Sequence, residues 1–151
     1  MDMGKRVAVI TGGASGIGRA VAAAMARRGI AAVALVDMSE AVEDVAAKLN
    51  AEAGRTFAVP FQGDTTDPKF RASVFDAMQG RYGAVTMCVP AAGITRDDLA
   101  VRIDKASGKA RIYPLEQFRL VVEVNLIAPV YWALEMIGRI AQLQLGRIAK
   151  R

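Results

Sequence analysis

The stretch VAVITGGASGIG, at residues 7–18, decides the fold of this 151-residue chain. Its first four residues are apolar, which predicts a short strand of a parallel sheet, buried on both faces. A helix follows the glycine-rich turn and ends near Gly29, and residues 31–36 form a second apolar strand that stops at Asp37. The apolar face of this helix is predicted to consist of Ile17, Val21, Ala24 and Met25. The stretch therefore predicts a strand-helix-strand unit.

This unit has the chemistry of an anion-binding site. A helix N-terminus presents unpaired N–H groups and the positive end of the helix dipole, and glycines let a pyrophosphate approach the backbone closely. An acid at the end of the next strand can accept hydrogen bonds from both ribose hydroxyl groups of an adenosine, and it repels a 2′-phosphate. The two residues directly after Asp37 are Met38 and Ser39 rather than Arg or Lys, and Ser15, not a basic residue, lies in the turn, so we expect NAD to bind in preference to NADP. The alternative is a purely structural crossover.

The glycine spacing is Gly12-x3-Gly16-x-Gly18, preceded by Thr11, and it differs from the commonest dinucleotide fingerprint. It resembles the short-chain dehydrogenase/reductase family. The resemblance implies an α/β fold, with a Rossmann-like doubly wound parallel sheet in a three-layer α/β/α sandwich. It also implies hydride transfer between a nicotinamide and a secondary alcohol or ketone. The cofactor-binding residues implied are Thr11, Gly12, Ser15, Gly16, Ile17, Gly18, Asp37, Met38, Asp64, Thr65, Ala91, Ala92, Gly93 and Ile94.

Asp64 comes just after a third predicted strand, at the edge of the sheet where doubly wound folds bind ligands. In the family that it resembles, an Asp in this position contacts the adenine ring. The alternative is an Asx turn that stabilises the loop. The segment after the fourth strand matches the family at Ala92-Gly93 but has Pro90 where an Asn usually braces neighbouring strands. Proline has no backbone N–H to donate, so this bracing is not carried over.

Asn125 lies in a long helix predicted over residues 114–141. Pro129, four residues on, has no N–H, so a kink and a free carbonyl at Asn125 are expected. The resemblance implies that Asn125 is a catalytic residue whose carbonyl holds a water of the proton relay. On the helix pattern alone, the alternative is a buried structural asparagine.

The rest of the family's catalytic set cannot be assigned to this sequence. In the family a lysine follows the catalytic tyrosine by four residues, and a serine accompanies them. The residues four places after Tyr82, Tyr113 and Tyr131 are Thr86, Gln117 and Glu135. The resemblance therefore covers the N-terminal, NAD-binding half alone, and we expect residues 1–151 to be a single incomplete domain, truncated after the Asn-bearing helix and inactive by itself. The alternative is a non-catalytic nucleotide-binding or assembly module.

Two further features bear on partners. Residues 99–113 alternate apolar and polar side chains around Ser107-Gly108, which predicts a β-hairpin. It is expected to shape the mouth of a small-molecule substrate site, the alternative being an insertion without function. A sheet that stops after four strands, in the order 3-2-1-4, leaves strand four as an unpaired edge. The last helix also has more apolar surface than one sheet face needs. We expect a homo-oligomer, or a partner chain that carries the C-terminal half.

Composition excludes several other classes. Twenty basic and fifteen acidic residues give a net charge of +5, but they are scattered, so no nucleic-acid partner is expected. With no histidine and one cysteine, Cys88, neither a zinc site nor an internal disulfide is expected, and Cys88 is expected to be a buried structural thiol. No signal peptide is recognised, and no apolar run is expected to approach membrane length. These features predict a cytoplasmic protein without a metal or a membrane partner.

Overall fold

The computed structural model describes residues 2–148, apart from the side chain of Arg147; residues 1 and 149–151 of the predicted domain lie outside the described part. Four strands form one parallel sheet in the order β3-β2-β1-β4, as predicted. They are β1 (Val7–Thr11), β2 (Ala32–Asp37), β3 (Ala58–Gln62) and β4 (Met87–Pro90). The helices between them are α1 (Gly16–Arg27), α2 (Ala41–Ala53) and α3 (Pro68–Tyr82).

The central strands β1 and β2 are buried along almost their whole length and are apolar up to their last residues, as is typical of strands covered on both faces. Successive side chains of a strand point to opposite faces. One face packs against α1 and α2 through Ala8, Ile10, Val33 and Leu35. The other packs against α3 and the C-terminal helix through Val7, Val9, Ala32, Ala34 and Val36. The three-layer α/β/α sandwich expected from the sequence is confirmed.

The predicted apolar face of α1 is wrong at its first turn. Ile17 is 75% exposed, whereas Ala22 and Met25 are buried against the sheet. Val21 and Ala24 are half-buried. The helix begins beyond the end of β1, so its first turn extends past the sheet and its side chains cannot reach the core.

The long C-terminal helix is continuous but changes its winding. It comprises α4 (Leu115–Val122), a π-helical segment (Glu123–Ile127) and α5 (Ala128–Ile148). In the wider turn the Ala128 N–H donates to the Glu123 carbonyl, five residues back. Pro129 has no N–H for the carbonyl four residues before it, so the regular ladder is interrupted at the predicted place. Ala128 and Trp132 anchor α5 in the core, and none of the residues of α4 is buried.

The segment between β4 and α4 contains an antiparallel hairpin, β5 (Val101–Ile103) and β6 (Ala110–Ile112), within the predicted range 99–113. Arg102 and Arg111 are paired across it. Asp98 binds both guanidinium groups, at 2.6 Å and 2.7 Å. Gly108 adopts a φ of 69° in the connecting turn, which a glycine allows without strain.

We expected no apolar run of membrane length, and this expectation is wrong. The C-terminal helix is long enough and apolar enough to cross a membrane. The 32-residue stretch Leu115–Gly146 includes an 18-residue window with a mean hydropathy of 1.6, of which 17% is buried. One such helix is weak evidence for a membrane span, because a core helix of a water-soluble domain can pass the same test. Large apolar side chains exposed along this stretch include Leu115, Phe118, Leu126, Val130, Leu134 and Ile137.

Candidate functional site

A cleft of about 460 Å³ opens at the carboxyl ends of the parallel strands. This is where doubly wound sheets bind ligands, because the helices that leave the strands diverge there. The cleft is lined by Gly12, Ser15, Gly16, Ile17, Asp37, Met38, Asp64, Thr65, Ala91, Ala92, Gly93, Ile94 and Val124. The structure thus brings together all the predicted cofactor residues except Thr11 and Gly18, which lie behind its wall. Their binding roles stay predictions.

The three glycines of the fingerprint occupy different environments. A Cβ on Gly18 would lie 2.2 Å from the Gly12 carbonyl oxygen, and one on Gly12 would lie 2.7 Å from the Ala91 carbonyl oxygen. These two glycines therefore allow close backbone packing. Gly16 has a φ of 48°, and a Cβ there would meet no atom within 4 Å. The space beside Gly16, at the start of α1, is open to an anion.

Thr11 joins the glycine turn to the loop after β4. It is 2% exposed, its hydroxyl accepts a hydrogen bond from the Ala92 N–H at 3.1 Å, and its carbonyl accepts one from the Ala91 N–H at 3.2 Å. Thr11 is also paired with Pro90 in the sheet. Thr11, at the end of the neighbouring strand β1, therefore supplies part of the bracing that an asparagine in place of Pro90 would provide.

The carboxylate of Asp37 bridges two segments of the site. One oxygen accepts a hydrogen bond from the Ala14 N–H in the glycine turn, and the other accepts one from the Ser39 N–H, each at 3.0 Å. The acid is thus held at the mouth of the cleft between β2 and α1. The cleft is lined by two acids, Asp37 and Asp64, and none of its described lining residues is Lys or Arg. The wall of the cleft carries negative charge near the predicted ribose position.

Asp64 forms the Asx turn that was the alternative to adenine contact, and it also lines the cleft. One of its carboxylate oxygens accepts hydrogen bonds from the Thr66 N–H and the Thr66 hydroxyl, both at 2.8 Å. The end of β3 is tied to the end of β2, since the Gly63 N–H donates to the Asp37 carbonyl at 2.9 Å. The loop-stabilising role is therefore present in the structure, and contact with an adenine stays a prediction.

Asn125 holds the loop after β4 rather than lying buried in the core. Its amide oxygen accepts from the Ile94 N–H and its amide nitrogen donates to the Ile94 carbonyl, both at 2.8 Å. The alternative of a buried structural asparagine is wrong in its burial, because the residue is exposed, although its bonds to Ile94 do give it a structural role. Its role in a proton relay stays a prediction. Val124, its neighbour in the π-helical segment, lines the cleft and was not anticipated.

Sequence reasoning also missed the link between Trp132 and the cleft. Trp132 belongs to the last helix, for which an excess of apolar surface was predicted, but it is fully buried and its indole N–H donates to the Thr65 carbonyl at 2.9 Å. The available signal was chemical: a buried tryptophan usually needs an acceptor for its N–H. Only the assembled fold shows that this acceptor belongs to the cleft.

Neither Cys88 nor a metal-binding cluster adds a reactive centre among residues 2–148. Cys88 is half-buried in β4 rather than fully buried as expected, and burial raises the pKa of its thiol to about 11. The thiol is therefore protonated at neutral pH, as expected for a structural residue rather than a nucleophile. Within residues 2–148, no cluster of three or more His, Cys, Asp or Glu side chains could hold a metal ion.

Comparison with known proteins agrees with this geometry. The family model described as short chain dehydrogenase matches residues 6–150. The chain is 36% identical over 124 residues to cis-4-hydroxycyclohexanecarboxylate dehydrogenase of Sinomonas cyclohexanicum. The aligned segment covers 81% of this chain and 44% of that protein. The solved L-sorbose reductase from Gluconobacter frateurii, complexed with NADPH and L-sorbose, has a TM-score of 0.74 at 25% identity, over 91% of this chain and 49% of its own.

A second solved structure, an NAD+-bound xylitol dehydrogenase, has a TM-score of 0.70 at 24% identity, over 92% of this chain and 49% of its own. It shares the fold. The chain spans about half the length of these proteins. One of the two solved neighbours is bound to NADPH and the other to NAD+, so the neighbours as a group do not decide between the two cofactors.

Proposed function

The chain belongs to the short-chain dehydrogenase family, and from this premise we propose that it is the NAD(H)-binding part of an oxidoreductase that acts on a secondary alcohol or ketone. The observation that carries the proposal is the placement of Asp37. Its carboxylate is fixed by the Ala14 and Ser39 N–H groups at the mouth of the cleft that the glycine turn opens.

The preference for NAD over NADP rests on charge. A 2′-phosphate on the adenosine ribose would approach the Asp37 carboxylate, which repels it. A cleft that accepts NADP would need a cation in its place to accommodate that phosphate. The described lining residues offer two acids and no basic side chain. These charges support NAD as the preferred cofactor.

Each wall of the cleft has a proposed role along the dinucleotide. The N-terminus of α1 at Gly16 would hold the pyrophosphate, and Asp37 the adenosine ribose. The Asp64-Thr65 pair would border the adenine. The small residues 91–93 would let the second ribose pass close to the backbone. When bound, NAD supplies the hydride acceptor for oxidation of an alcohol.

The experiment that tests the cofactor assignment is calorimetric titration of the purified chain with NAD and with NADP. We expect NAD to bind more tightly. In Asp37→Ala the Kd for NAD should rise about tenfold or more, because charged hydrogen bonds to the ribose are lost, while the Kd for NADP should fall or stay constant. The control is Asp44→Ala, which removes an exposed acid of α2. Unchanged discrimination between the cofactors in Asp37→Ala would overturn the assignment.

We propose further that these 151 residues alone turn over no substrate. The sequence contains no tyrosine followed by lysine four residues later, so it has no proton donor of the family's kind. A spectrophotometric assay of NADH production from secondary alcohols checks this. Activity of the pure chain would contradict the catalytic argument, and NAD binding without activity in any complex would favour the second candidate, a non-catalytic nucleotide-binding module.

The proposed partners follow from the uncovered surfaces. Within the described residues β4 pairs with β1 alone, and α4 has no buried residue. A second copy, or a polypeptide that carries the other half of the domain, would cover these surfaces and complete a small-molecule substrate site. We propose that the uncovered apolar side of α4 and α5 meets a polypeptide rather than a membrane, and that the protein is cytoplasmic and binds no nucleic acid.

A further inference from the structure

Trp132 is the only tryptophan of the chain, and it connects the outer helix layer to the cleft. Its side chain is 0% exposed, and its ring centroid lies 5.7 Å from that of Phe75. Its indole N–H donates to the Thr65 carbonyl at 2.9 Å, in a fully buried hydrogen bond. Thr65 is itself 8% exposed and lines the cleft. The tryptophan therefore touches a wall of the site from behind.

The loop at residues 63–67 is held from several directions. The Gly63 N–H is bound to the Asp37 carbonyl at 2.9 Å, which fixes the loop to the neighbouring strand end. Asp64 closes the loop on itself through Thr66 and through the Asp67 N–H, which donates to the Asp64 carbonyl at 3.1 Å. The bond from Trp132 comes from the helix layer, so it determines how far the loop stands from α5.

The same helix also holds the opposite wall. Asn125, about two helical turns before Trp132, binds both backbone groups of Ile94. One continuous helix therefore fixes the loop after β4 through Asn125 and the loop after β3 through Trp132. The helix therefore holds both loops, in addition to the hydrogen bonds that Thr11 accepts from the loop after β4 and that Asp37 accepts from the loop after β3.

We propose that Trp132 is a positioning residue for the adenine-side loop, because its indole N–H fixes the Thr65 carbonyl and so sets the orientation of Asp64 and Thr65 toward the cleft. The inference rests on the proposed NAD-binding function. Phenylalanine can fill much of the same volume but has no donor, so Trp132→Phe leaves the buried Thr65 carbonyl unsatisfied and the loop free to turn. The aromatic contact with Phe75 does not require the N–H.

The first test is calorimetric titration with AMP, which carries the adenosine half of NAD. In Trp132→Phe we expect the Kd for AMP to rise about three- to tenfold, the amount that one hydrogen bond contributes. The matched control is Val74→Ala, which trims the same core cluster, removes no hydrogen bond, and should destabilise the fold with no change in Kd. Equal affinity in the wild type and Trp132→Phe, or equal weakening in Val74→Ala, overturns the inference.

The second test needs no variant, so it holds even where Trp132→Phe fails to fold. The chain has one indole N–H signal in a proton–nitrogen NMR spectrum, because it has one tryptophan. We expect saturating AMP to shift this signal and ribose 5-phosphate, which lacks the adenine, to leave it in place. A chain that binds AMP with an unmoved indole signal overturns this inference alone. A chain that binds no AMP overturns the proposed function as well.

Discussion

At the scale of single residues, the glycine turn shows that one motif combines two physical requirements. Gly18 and Gly12 are required by the protein itself, since a Cβ would meet backbone atoms at 2.2 Å and 2.7 Å. Gly16 borders open space, so the free volume beside it is available to a ligand. Substitutions at these positions should therefore separate folding from binding.

We predict that Gly18→Ala destabilises the fold by about 2 kcal/mol or more, because the Gly12 backbone must move to admit the methyl group. Gly16→Ala should cost about 1 kcal/mol for its positive φ, while it weakens NAD binding strongly because the methyl occupies the anion position. Urea unfolding and calorimetry measure the two effects. Full NAD affinity in Gly16→Ala would contradict the placement of the pyrophosphate.

Gly80→Ala is the matched control for Gly18→Ala and Gly16→Ala, because it adds the same methyl group outside the glycine turn. Gly80 lies exposed in α3 with a helical φ, and an added Cβ meets nothing within 4 Å. We predict a gain in stability of about 0.5–1 kcal/mol with unchanged NAD affinity. A loss of stability at this position would mean that α3 is not helical there.

The Cys88 thiol provides a pH-dependent prediction. Burial raises its pKa to about 11, so the folded chain keeps a proton that the unfolded chain loses near pH 9. The protonated thiol therefore makes its full contribution to the free energy of unfolding below pH 9, and this contribution is lost as the pH rises from 9 to about 11. We expect iodoacetamide to alkylate the native chain much more slowly at pH 8 than the urea-unfolded chain. Equal rates would show that Cys88 is not protected.

At the scale of elements, the sequence predicted the strands and the hairpin better than the outward faces of helices. Unbroken apolar runs identify strands buried on both faces, and alternation identified the hairpin. The face of α1 was predicted from periodicity, which indicates that a stripe exists but not where the sheet beneath it ends. Ile17 is exposed for that reason. The bond from Trp132 to Thr65 joins residues 67 positions apart, and local patterns contain no information about it.

The hairpin depends on Asp98, which gives a prediction for one element. A hydrogen bond from the Leu99 N–H, together with Arg102 and Arg111, lowers the pKa of Asp98. The ion pairs of Asp98 with Arg102 and Arg111, which we call the clamp, therefore stabilise the hairpin fully above the ordinary carboxyl pKa. This stabilisation is lost as the pH falls through the lowered pKa of Asp98. In Asp98→Ala we expect faster amide hydrogen exchange in β5 and β6 with an unchanged Tm. The control is Asp97→Ala, and equal exchange in both variants would contradict the clamp.

At the scale of the whole molecule, the chain has one well-covered side and one uncovered side. The central strands β1 and β2 are covered on both faces, yet α4 and the outer surface of α5 expose large apolar side chains. Patches of this kind on a folded domain commonly mark interaction surfaces. The sequence predicted the apolar excess, but the pattern alone does not determine which residues of a helix meet the sheet.

We predict that the purified chain associates, either with itself or with a co-purifying polypeptide. Leu134→Glu and Ile137→Glu place a charge at exposed apolar positions of α5 and should reduce association, as measured by analytical ultracentrifugation. Gln144→Glu adds the same charge to an exposed position of that helix and serves as the control. A pure chain that stays monomeric at micromolar concentration would contradict the predicted association.

The central claim is that one cleft, at the carboxyl ends of β1 to β4, holds NAD. The most direct measurement is a titration of the isotope-labelled chain with NAD, followed through its backbone amide NMR signals. We predict saturable shifts at residues 12–18, 37–38, 64–65 and 91–94, with smaller shifts on addition of NADP. Absence of any shift, or shifts confined to the outer faces of α1 and α2, would contradict it.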